Sequence, residues 1–514
     1  MAVAGAPTYT MNFLDVIAIS SRKFRHCSWL FLAVLVSACS STPKFQLQQD
    51  ILAAGLSPDD VSVLMLPLSV NTDGNADELS FAADRPMQPA STMKLLTTSV
   101  ALDLLGNNWR GETQLLVQKT DLDRQTLSGP LIVQGRSNTD LSYGELNFML
   151  QQLYDQGVRH IPAGLQFDRE SFSPNRPSPT AEPFDEAPRA RYNHVPDPLM
   201  LQQNMHWLSL QSAAKGVKGW FSPGWPALQL DLSALKLVDV ACDTFSIHRQ
   251  QIVVQQRSTE QLSQEQSLQE QRQLKIVGEF PANCQWQGQL ELLDRDLNLQ
   301  LAVQTYWRQL GGTMGNSVIF KQADADSQLL VQHLGRPLPE IVSRINKFSD
   351  NALARLLYAN LAEPVDTNPT PSTSHTTQQL ADQRVHHWFK QHNISTAGLV
   401  IDNGSGLSRS AQISARQLAG LLDASWLSRY SAEFVASLPL AGVDGTLLQR
   451  LKNGPAWQRA RLKTGTLRDV TALAGYVWDS QNRPWIFVGF VNAAHASAKG
   501  RPLLDKWVQQ LAGQ

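Results

Sequence analysis

The pattern of apolar and polar positions changes twice along this chain of 514 residues. Val61 to Pro67 is an almost unbroken apolar run, which predicts a strand buried on both faces. A polar turn at Asn71-Thr72-Asp73-Gly74 follows it. From Lys94 to Leu105 apolar residues fall at Leu95, Val100, Leu104 and Leu105, and this spacing predicts a helix. Past Leu105 the pattern becomes short alternating segments divided by turns: Thr113–Val117, Gly129–Val133, Leu228–Leu232, Gln251–Val254, Leu274–Gly278 and Leu297–Val303. Period-two alternation of that length predicts strands. Ser171–Arg191, rich in Pro, Ser and charge, predicts a loop, and the glutamine-heavy Gln250–Gln273 an exposed hairpin.

Beyond about Gln309 helical and strand patterns mix. Leu338–Phe348 and Leu353–Leu361 read as helices, and Asp366–Gln379 as a polar loop. Arg461–Thr466, Ala472–Val477 and Trp485–Val491 read as antiparallel strands, the last two joined by Asp479-Ser480-Gln481-Asn482, before an amphipathic helix at Leu503–Leu511. The expected fold is α+β. Residues 39–105 and 310–514 form one domain, an antiparallel sheet with helices on its faces. Residues 106–309 form a β-rich insertion of two subdomains. Composition adds little: 42% hydrophobic and 17% charged residues suffice for ordinary cores. A net charge of −1 offers nucleic acid no electrostatic footing. The histidines show no metal-ligand spacing, the His386-His387 pair reads as a solvated helix face, and nothing implies a cofactor.

The chemistry lies in three short motifs in fixed order, Ser91-Thr92-Met93-Lys94, Ser349-Asp350-Asn351 and Lys463-Thr464-Gly465. Each alone is weak: a helix cap, a turn and a strand end explain them equally well. Four other Ser-x-x-Lys matches, beginning at Ser20, Ser41, Ser212 and Ser233, lack a strand and turn before a helix. In Ser91-x-x-Lys94 the lysine stands one turn from the serine. A serine hydroxyl needs such a base, and a lysine serves only when its pKa falls from about 10.4. Burial, a helix N-terminus and a second cation, here Lys463, all push it down. Ser349 suits a proton relay from Lys94 to the leaving amine, and Asn351 suits positioning Lys94 and the substrate amide. Lys463 and Thr464 suit a substrate carboxylate, and Gly465 suits close approach of a peptide to a strand edge. The N–H groups of Ser91 and Thr466 would form an oxyanion hole.

This trio is that of penicillin-binding proteins and class A β-lactamases. With its flanks the chain resembles the low-molecular-mass class C penicillin-binding proteins, the penicillin-binding protein 4 type of D-alanyl-D-alanine carboxypeptidase/endopeptidase. The resemblance runs from about Val61 to the C-terminus. It rests on Pro89–Thr97, Lys347–Asn351, Asn403-Gly404-Ser405-Gly406-Leu407-Ser408-Arg409, Leu440–Leu447 and Lys463–Leu467, with a weaker match at Tyr192-Asn193 and Asn204. It implies a serine acylated by peptidoglycan stem peptides, or lastingly by β-lactams. It also implies that an acid of the insertion, here Asp168, joins Arg409 in a pocket for a diaminopimelate side chain. The chain departs from the family at Gly135–Asp140, where a Gly-rich segment usually ends in Asp-Pro, and at His194-Val195-Pro196-Asp197-Pro198. Both departures bear on substrate fit.

Two alternatives are a serine β-lactamase and a catalytically silent cell-wall binding module. Class A deacylation relies on a glutamate-activated water, and residues 380–400 contain no glutamate; a silent module would show a damaged trio. At the N-terminus, basic Arg22, Lys23 and Arg25 precede an apolar run from Trp29 to Val36, too short to span a bilayer. It ends in Val36-Ser37-Ala38-Cys39, the pattern of a bacterial lipoprotein signal over residues 1–38. Cys39 would then carry lipid and anchor a periplasmic enzyme to a membrane, the outer membrane favoured by Ser40. The other reading is an ordinary signal cut near Ala38. Residues 1–20 are atypical before such a signal, and Met11 is an alternative start. With Cys27 in the signal, Cys242 and Cys284 remain, an even pair expected to be bridged in an oxidising compartment and otherwise two separate buried thiols.

Overall fold

The computed structural model describes residues 45–68, 78–118, 122–123, 125–172, 184–256, 272–362 and 376–514. The signal segment with Cys27 and Cys39, the turn at Asn71–Gly74, and most of the Asp366–Gln379 loop lie outside the described residues. So do the interiors of Ser171–Arg191 and of Gln250–Gln273.

Both ends of the described chain build one antiparallel sheet. Its spatial order is Leu79–Phe81, Val61–Pro67, Pro484–Asn492, Val470–Trp478 and Ala460–Leu467. Val61 lies opposite Val491 and Pro67 opposite Trp485. Successive side chains leave a strand on opposite faces, and both faces here are covered, which is why these strands read as apolar runs. Leu64, Ala472, Ala474, Tyr476, Ile486 and Val488 join a core with helices Met93–Leu105, Leu338–Phe348 and Ala415–Leu427. Val63, Met65, Leu473, Val477, Phe487 and Val491 pack with helices Leu47–Ala53 and Ala496–Ala512 on the other face. The helix Met93–Leu105 is buried on every side from Met93 to Leu102. A helix in that position carries whatever is in its first turn into the interior, Lys94 included.

The insertion leaves after Leu105. Its five-stranded sheet runs Val318–Phe320, Leu165–Asp168, Leu131–Arg136, Glu112–Val117, Gln328–Leu334. A three-stranded sheet, a group around Arg272–Pro281 and a small sheet of Thr313–Met314, His160–Ile161, Thr126–Leu127 and Leu122–Asp123 accompany it. Gln251–Gln256 pairs antiparallel with Arg272–Pro281, the hairpin that the glutamine-rich stretch predicts. The two expected subdomains share one apolar cluster, from Leu115 and Leu131 through Leu208 to Leu274 and Trp307. A disulfide joins Cys242 to Cys284. Closing a loop of 42 residues constrains the unfolded chain by about 4 kcal/mol in the entropic model.

Two expectations are corrected. Leu297–Val303 is helical, inside Arg295–Gln309. The odd-numbered Leu297, Leu299, Leu301 and Val303 imitate strand alternation, but Asn298, Ala302, Gln304 and Trp307 are buried too, a helical face. Asp294 caps this helix, its carboxylate accepting from the N–H groups of Asp296 and Leu297. The insertion also does not close at 309. Gln328–Leu334 pairs antiparallel with Glu112–Val117, and Val318–Phe320 runs parallel to Leu165–Asp168. These late strands are short or half-exposed, and their apolar residues run together rather than alternate, so their sequence carries little periodic signal. The catalytic domain resumes with the helix at Leu338.

Candidate active site

Three structural junctions bring the motifs together. Ser91 sits in a single 3₁₀ turn, Ala90–Thr92, that runs into the buried helix. Ala90 before it has φ 46, a left-handed conformation that costs a non-glycine residue of order 1–2 kcal/mol. Ser349 ends the helix Leu338–Phe348, also left-handed at φ 58. Asp350 caps the next helix, its Oδ1 accepting from Leu353 N–H. The Ser-Asp-Asn triplet is therefore a helix–helix corner whose capping role and site role coexist. Lys463 lies on the edge strand Ala460–Leu467, opposite Ala474. It thus points to the face that carries the Ser91 helix, while its neighbour Leu462 packs on the other. A Cβ added to Gly465 would stand 2.7 Å from the Pro89 carbonyl oxygen, so only glycine lets this strand lie against the serine turn.

Lys94 Nζ donates to Ser91 Oγ at 3.0 Å, Asn351 Oδ1 at 2.6 Å and the Ser405 carbonyl at 2.6 Å. An ammonium has three protons to donate, and these acceptors match them; a neutral amine leaves its lone pair to face the serine hydroxyl. Lys463 Nζ donates to Ser349 Oγ at 2.9 Å and to the Thr464 carbonyl at 2.8 Å. Thr464 Oγ1 bonds Thr446 Oγ1 of the Leu440–Leu447 segment. Both lysines are 0% exposed. Burial pushes Lys94 well below the ordinary lysine range, and the charge of Lys463 pushes it further; Asp350 opposes the shift and Arg355 adds to it. Burial alone brings Lys463 down to about 7. Neither lysine forms an ion pair among the described residues.

The catalytic residues read from sequence, Ser91, Lys94, Ser349, Asn351 and Lys463, are all joined here, and Thr464, Gly465 and Thr466 line the adjoining strand. Ser349 differs in detail: its hydroxyl is bonded to Lys463, the side from which a proton would be resupplied. Arg409 Nη2 donates to the Phe184 carbonyl, with its guanidinium over the Phe184 ring. Asp168 is not beside it. That carboxylate is 2% exposed within the insertion's sheet and accepts from Gln134, Glu170 N–H and Ala323 N–H. Its place opposite Gln134 in paired strands makes it a structural residue. The acids that share a cavity of about 570 Å³ with Arg409 are Asp185, Glu186 and Asp469.

Other contributors were not picked out by sequence. Ser405 supplies a carbonyl from the Asn403–Gly406 turn, which is held by Thr97 donating to the Gly404 carbonyl. A Cβ on Gly406 would fall 1.8 Å from the Ala90 carbonyl oxygen. Arg191 of the insertion bonds Asp350 Oδ2 at 2.7 Å, and Asn351 Nδ2 reaches the Tyr192 carbonyl at 3.5 Å. Lys347 Nζ bonds Asp444 and the Leu438 carbonyl, fastening the corner to the Leu440–Leu447 segment. Only the weaker match at Tyr192-Asn193 and Asn204 hinted that residues 191–193 belong to the site.

A profile of the D-Ala-D-Ala carboxypeptidase 3 (S13) family matches residues 68–511. The chain is 27% identical over 410 residues to D-alanyl-D-alanine carboxypeptidase DacB of Haemophilus influenzae, covering 79% of this chain and 80% of that one. It is 25% identical over 484 residues to a D-alanyl-D-alanine carboxypeptidase of an Actinomadura species, 91% of this chain and 84% of that one. In fold it matches the crystal structure of penicillin binding protein 4 (dacB) from Haemophilus influenzae with a TM-score of 0.72 at 22% identity, over 92% of this chain and 100% of that one. That protein in complex with a β-lactam matches at 0.68 and 22%, over 88% of this chain and 96% of that one. Because the matched profile spans the whole site and both flanks of the insertion, the chain belongs to the D-Ala-D-Ala carboxypeptidase 3 (S13) family and is a serine-type carboxypeptidase hydrolase.

Proposed function

We propose that Ser91 is the nucleophile of a D-Ala-D-Ala carboxypeptidase and endopeptidase that acts on peptidoglycan stem peptides. The observation that carries this reading is the 3.0 Å contact between Ser91 Oγ and a buried lysine amine lacking a carboxylate partner. Neutral Lys94 takes the serine proton as Oγ bonds to the carbonyl carbon of the scissile D-alanyl amide. The oxyanion is held by the N–H groups of Ser91 and Thr466, each such donor typically worth ~3–4 kcal/mol. Collapse breaks the C–N bond, and the leaving amine takes a proton from Ser349 Oγ, which Lys463 resupplies. Water then adds to the ester carbonyl, giving its proton through Ser349 to the now neutral Lys463, while Lys94 returns its proton to Ser91 Oγ as the ester C–O bond breaks and the shortened peptide leaves. The outer edge of strand Ala460–Leu467, beyond the bridge from Arg461 to Leu440, supports an extended substrate. Charged Lys463 and Thr464 suit its terminal carboxylate, and Arg409 suits a carboxylate further along the stem.

A β-lactam acylates the same serine, and the ester persists because no glutamate of residues 380–400 is available to activate water. Intact-protein mass after incubation with benzylpenicillin tests this. Wild type should gain one penicillin mass and Ser91→Ala none; an adduct on the alanine variant would refute it. For location we propose a lipid on Cys39, with the enzyme periplasmic and membrane-held. The Val36-Ser37-Ala38-Cys39 sequence supports it, and unchanged membrane association of Cys39→Ala would refute it.

A further inference from the structure

A half-covered antiparallel sheet is apolar inside and polar outside, and one sheet of the insertion breaks this rule. Its strands lie in the order Gly216–Ser222, His206–Ala213, Gln285–Leu290. Inward, Leu208, Leu210, Phe221 and Leu290 join the core. Outward stand two tryptophans, Trp207 and Trp220, 46% and 58% exposed. Trp207 lies opposite Ser222 and Trp220 opposite Ser209. They are therefore diagonal cross-strand neighbours, ~7–8 Å apart at the backbone. Around them the same face carries glutamines: Gln289 opposite Trp207, Gln287 opposite Ser209, and Gln285 opposite Gln211. Lys218, opposite Gln211, is its single charged residue.

The face is also continuous with the catalytic region. Gln289 lines a cavity of about 320 Å³ together with Arg191 and Arg344. Arg191 is the residue that holds Asp350 in the Ser349–Asn351 corner.

We propose that this face is a glycan subsite, which takes the sugar strand of peptidoglycan while the active site works on a stem peptide attached to it. The proposal rests on the peptidoglycan reading above and extends it to the part of the polymer that is not cleaved. An indole offers a flat apolar surface with a polar edge, the complement of the C–H face of a pyranose ring. A primary amide both donates and accepts, as the hydroxyl and N-acetyl groups of amino sugars require. Near-neutrality selects a polymer whose backbone is bound by shape and hydrogen bonds. A membrane surface would call for basic residues beside the indoles, and a stable protein partner for more apolar surface than two rings.

The test uses the full-length enzyme and glycan strands of alternating N-acetylglucosamine and N-acetylmuramic acid, freed of their peptides by an amidase. Wild type should bind these strands, and the double variant Trp207→Ala with Trp220→Ala should bind them about tenfold more weakly or worse. Turnover of intact sacculi should fall in parallel. Penicillin acylation and cleavage of a free pentapeptide should stay unchanged, which shows the fold and the catalytic reading to be intact. Phe148→Ala removes a ring that is 58% exposed elsewhere on the insertion and should leave glycan binding as it is. Equal glycan binding by wild type and the double variant overturns the proposal, as does an equal loss from Phe148→Ala. Loss of penicillin acylation in wild type would instead overturn the catalytic reading.

Discussion

The catalytic corner and the insertion each bury a pair of cations, and they treat them oppositely. In the insertion, Arg169 bonds Asp197 at 3.1 Å and also Asp296, while Arg295 bonds Asp197 at 2.5 Å. Every charge there has a counter-charge. In the active site, Lys94 and Lys463 are equally buried, yet their partners are hydroxyl, amide and carbonyl oxygens. A buried cation with a carboxylate stays charged and holds the fold together; one without loses its proton readily and becomes a base. Asp197 belongs to the His194–Pro198 segment that departs from the family pattern, so that departure sits on the structural cluster.

The largest effect should come from Lys94→Met, which removes the base and keeps the volume. Acylation by penicillin should fall by about 10⁴-fold or more, measured by covalent labelling against time. The melting temperature should hold or rise, because a desolvated amine is replaced by a thioether. A variant that unfolds would show that Lys94 is structural, as the arginines are.

The converse change is Arg169→Met. It strands carboxylates inside the insertion, and stability should drop by about 3–5 kcal/mol in denaturant titration. Labelling per folded molecule should match wild type. If activity falls while stability holds, the division between the two clusters fails.

The pH profile separates the two lysines. Acylation needs Lys94 neutral, so the rate climbs with pH through its depressed pKa. Lys463 stands at about 7, so its charge is present below that value and lost above it. A substrate held by its terminal carboxylate should therefore show a bell, falling up to about tenfold per pH unit on the alkaline side. The methyl ester of the same substrate should lose the alkaline rise in KM but keep the alkaline fall in kcat, because proton resupply through Ser349 still needs charged Lys463. An alkaline rise in KM for both would assign carboxylate binding to another group.

How much of this was legible in sequence follows from the same physics. The sheet of the catalytic domain was readable because both its faces are buried, which forces apolar runs at Val470–Trp478 and Pro484–Asn492. The trio was readable because its chemistry fixes residue type and spacing together. Residues 313–334 were not, since a strand as short as Val318–Phe320 and the unalternating Leu329, Leu330 and Val331 carry no clear period. Helix Arg295–Gln309 was misread because its polar Asn298 and Gln304 are buried. Asp168 could not be placed from sequence for a related reason: a buried acid bonded to backbone N–H groups has the same letter as one that binds substrate. Arg191 had no signal beyond the weak Tyr192-Asn193 match beside it, because the corner it supports lies 159 positions away.

Arg191 gives the finest test, since among the described residues it carries the insertion's habit of pairing charges into the active site. Its guanidinium neutralises Asp350, and Asp350 is the group that raises the pKa of Lys94 against burial, Lys463 and Arg355. Arg344 also faces Asp350, more distantly at 3.9 Å. In Arg191→Gln the carboxylate acts on Lys94 with less compensation, so the pKa of Lys94 rises and less of it is neutral at a given pH. The acid limb of acylation should shift to higher pH. The rate at pH 7 should fall by about three- to tenfold and recover as the pH is raised. The effect is modest because Arg191 is about one-third exposed and solvent screens the pair. Arg191→Lys should restore most of the profile. A loss equal at every pH, with no rescue by lysine, would mean that Arg191 only packs the corner.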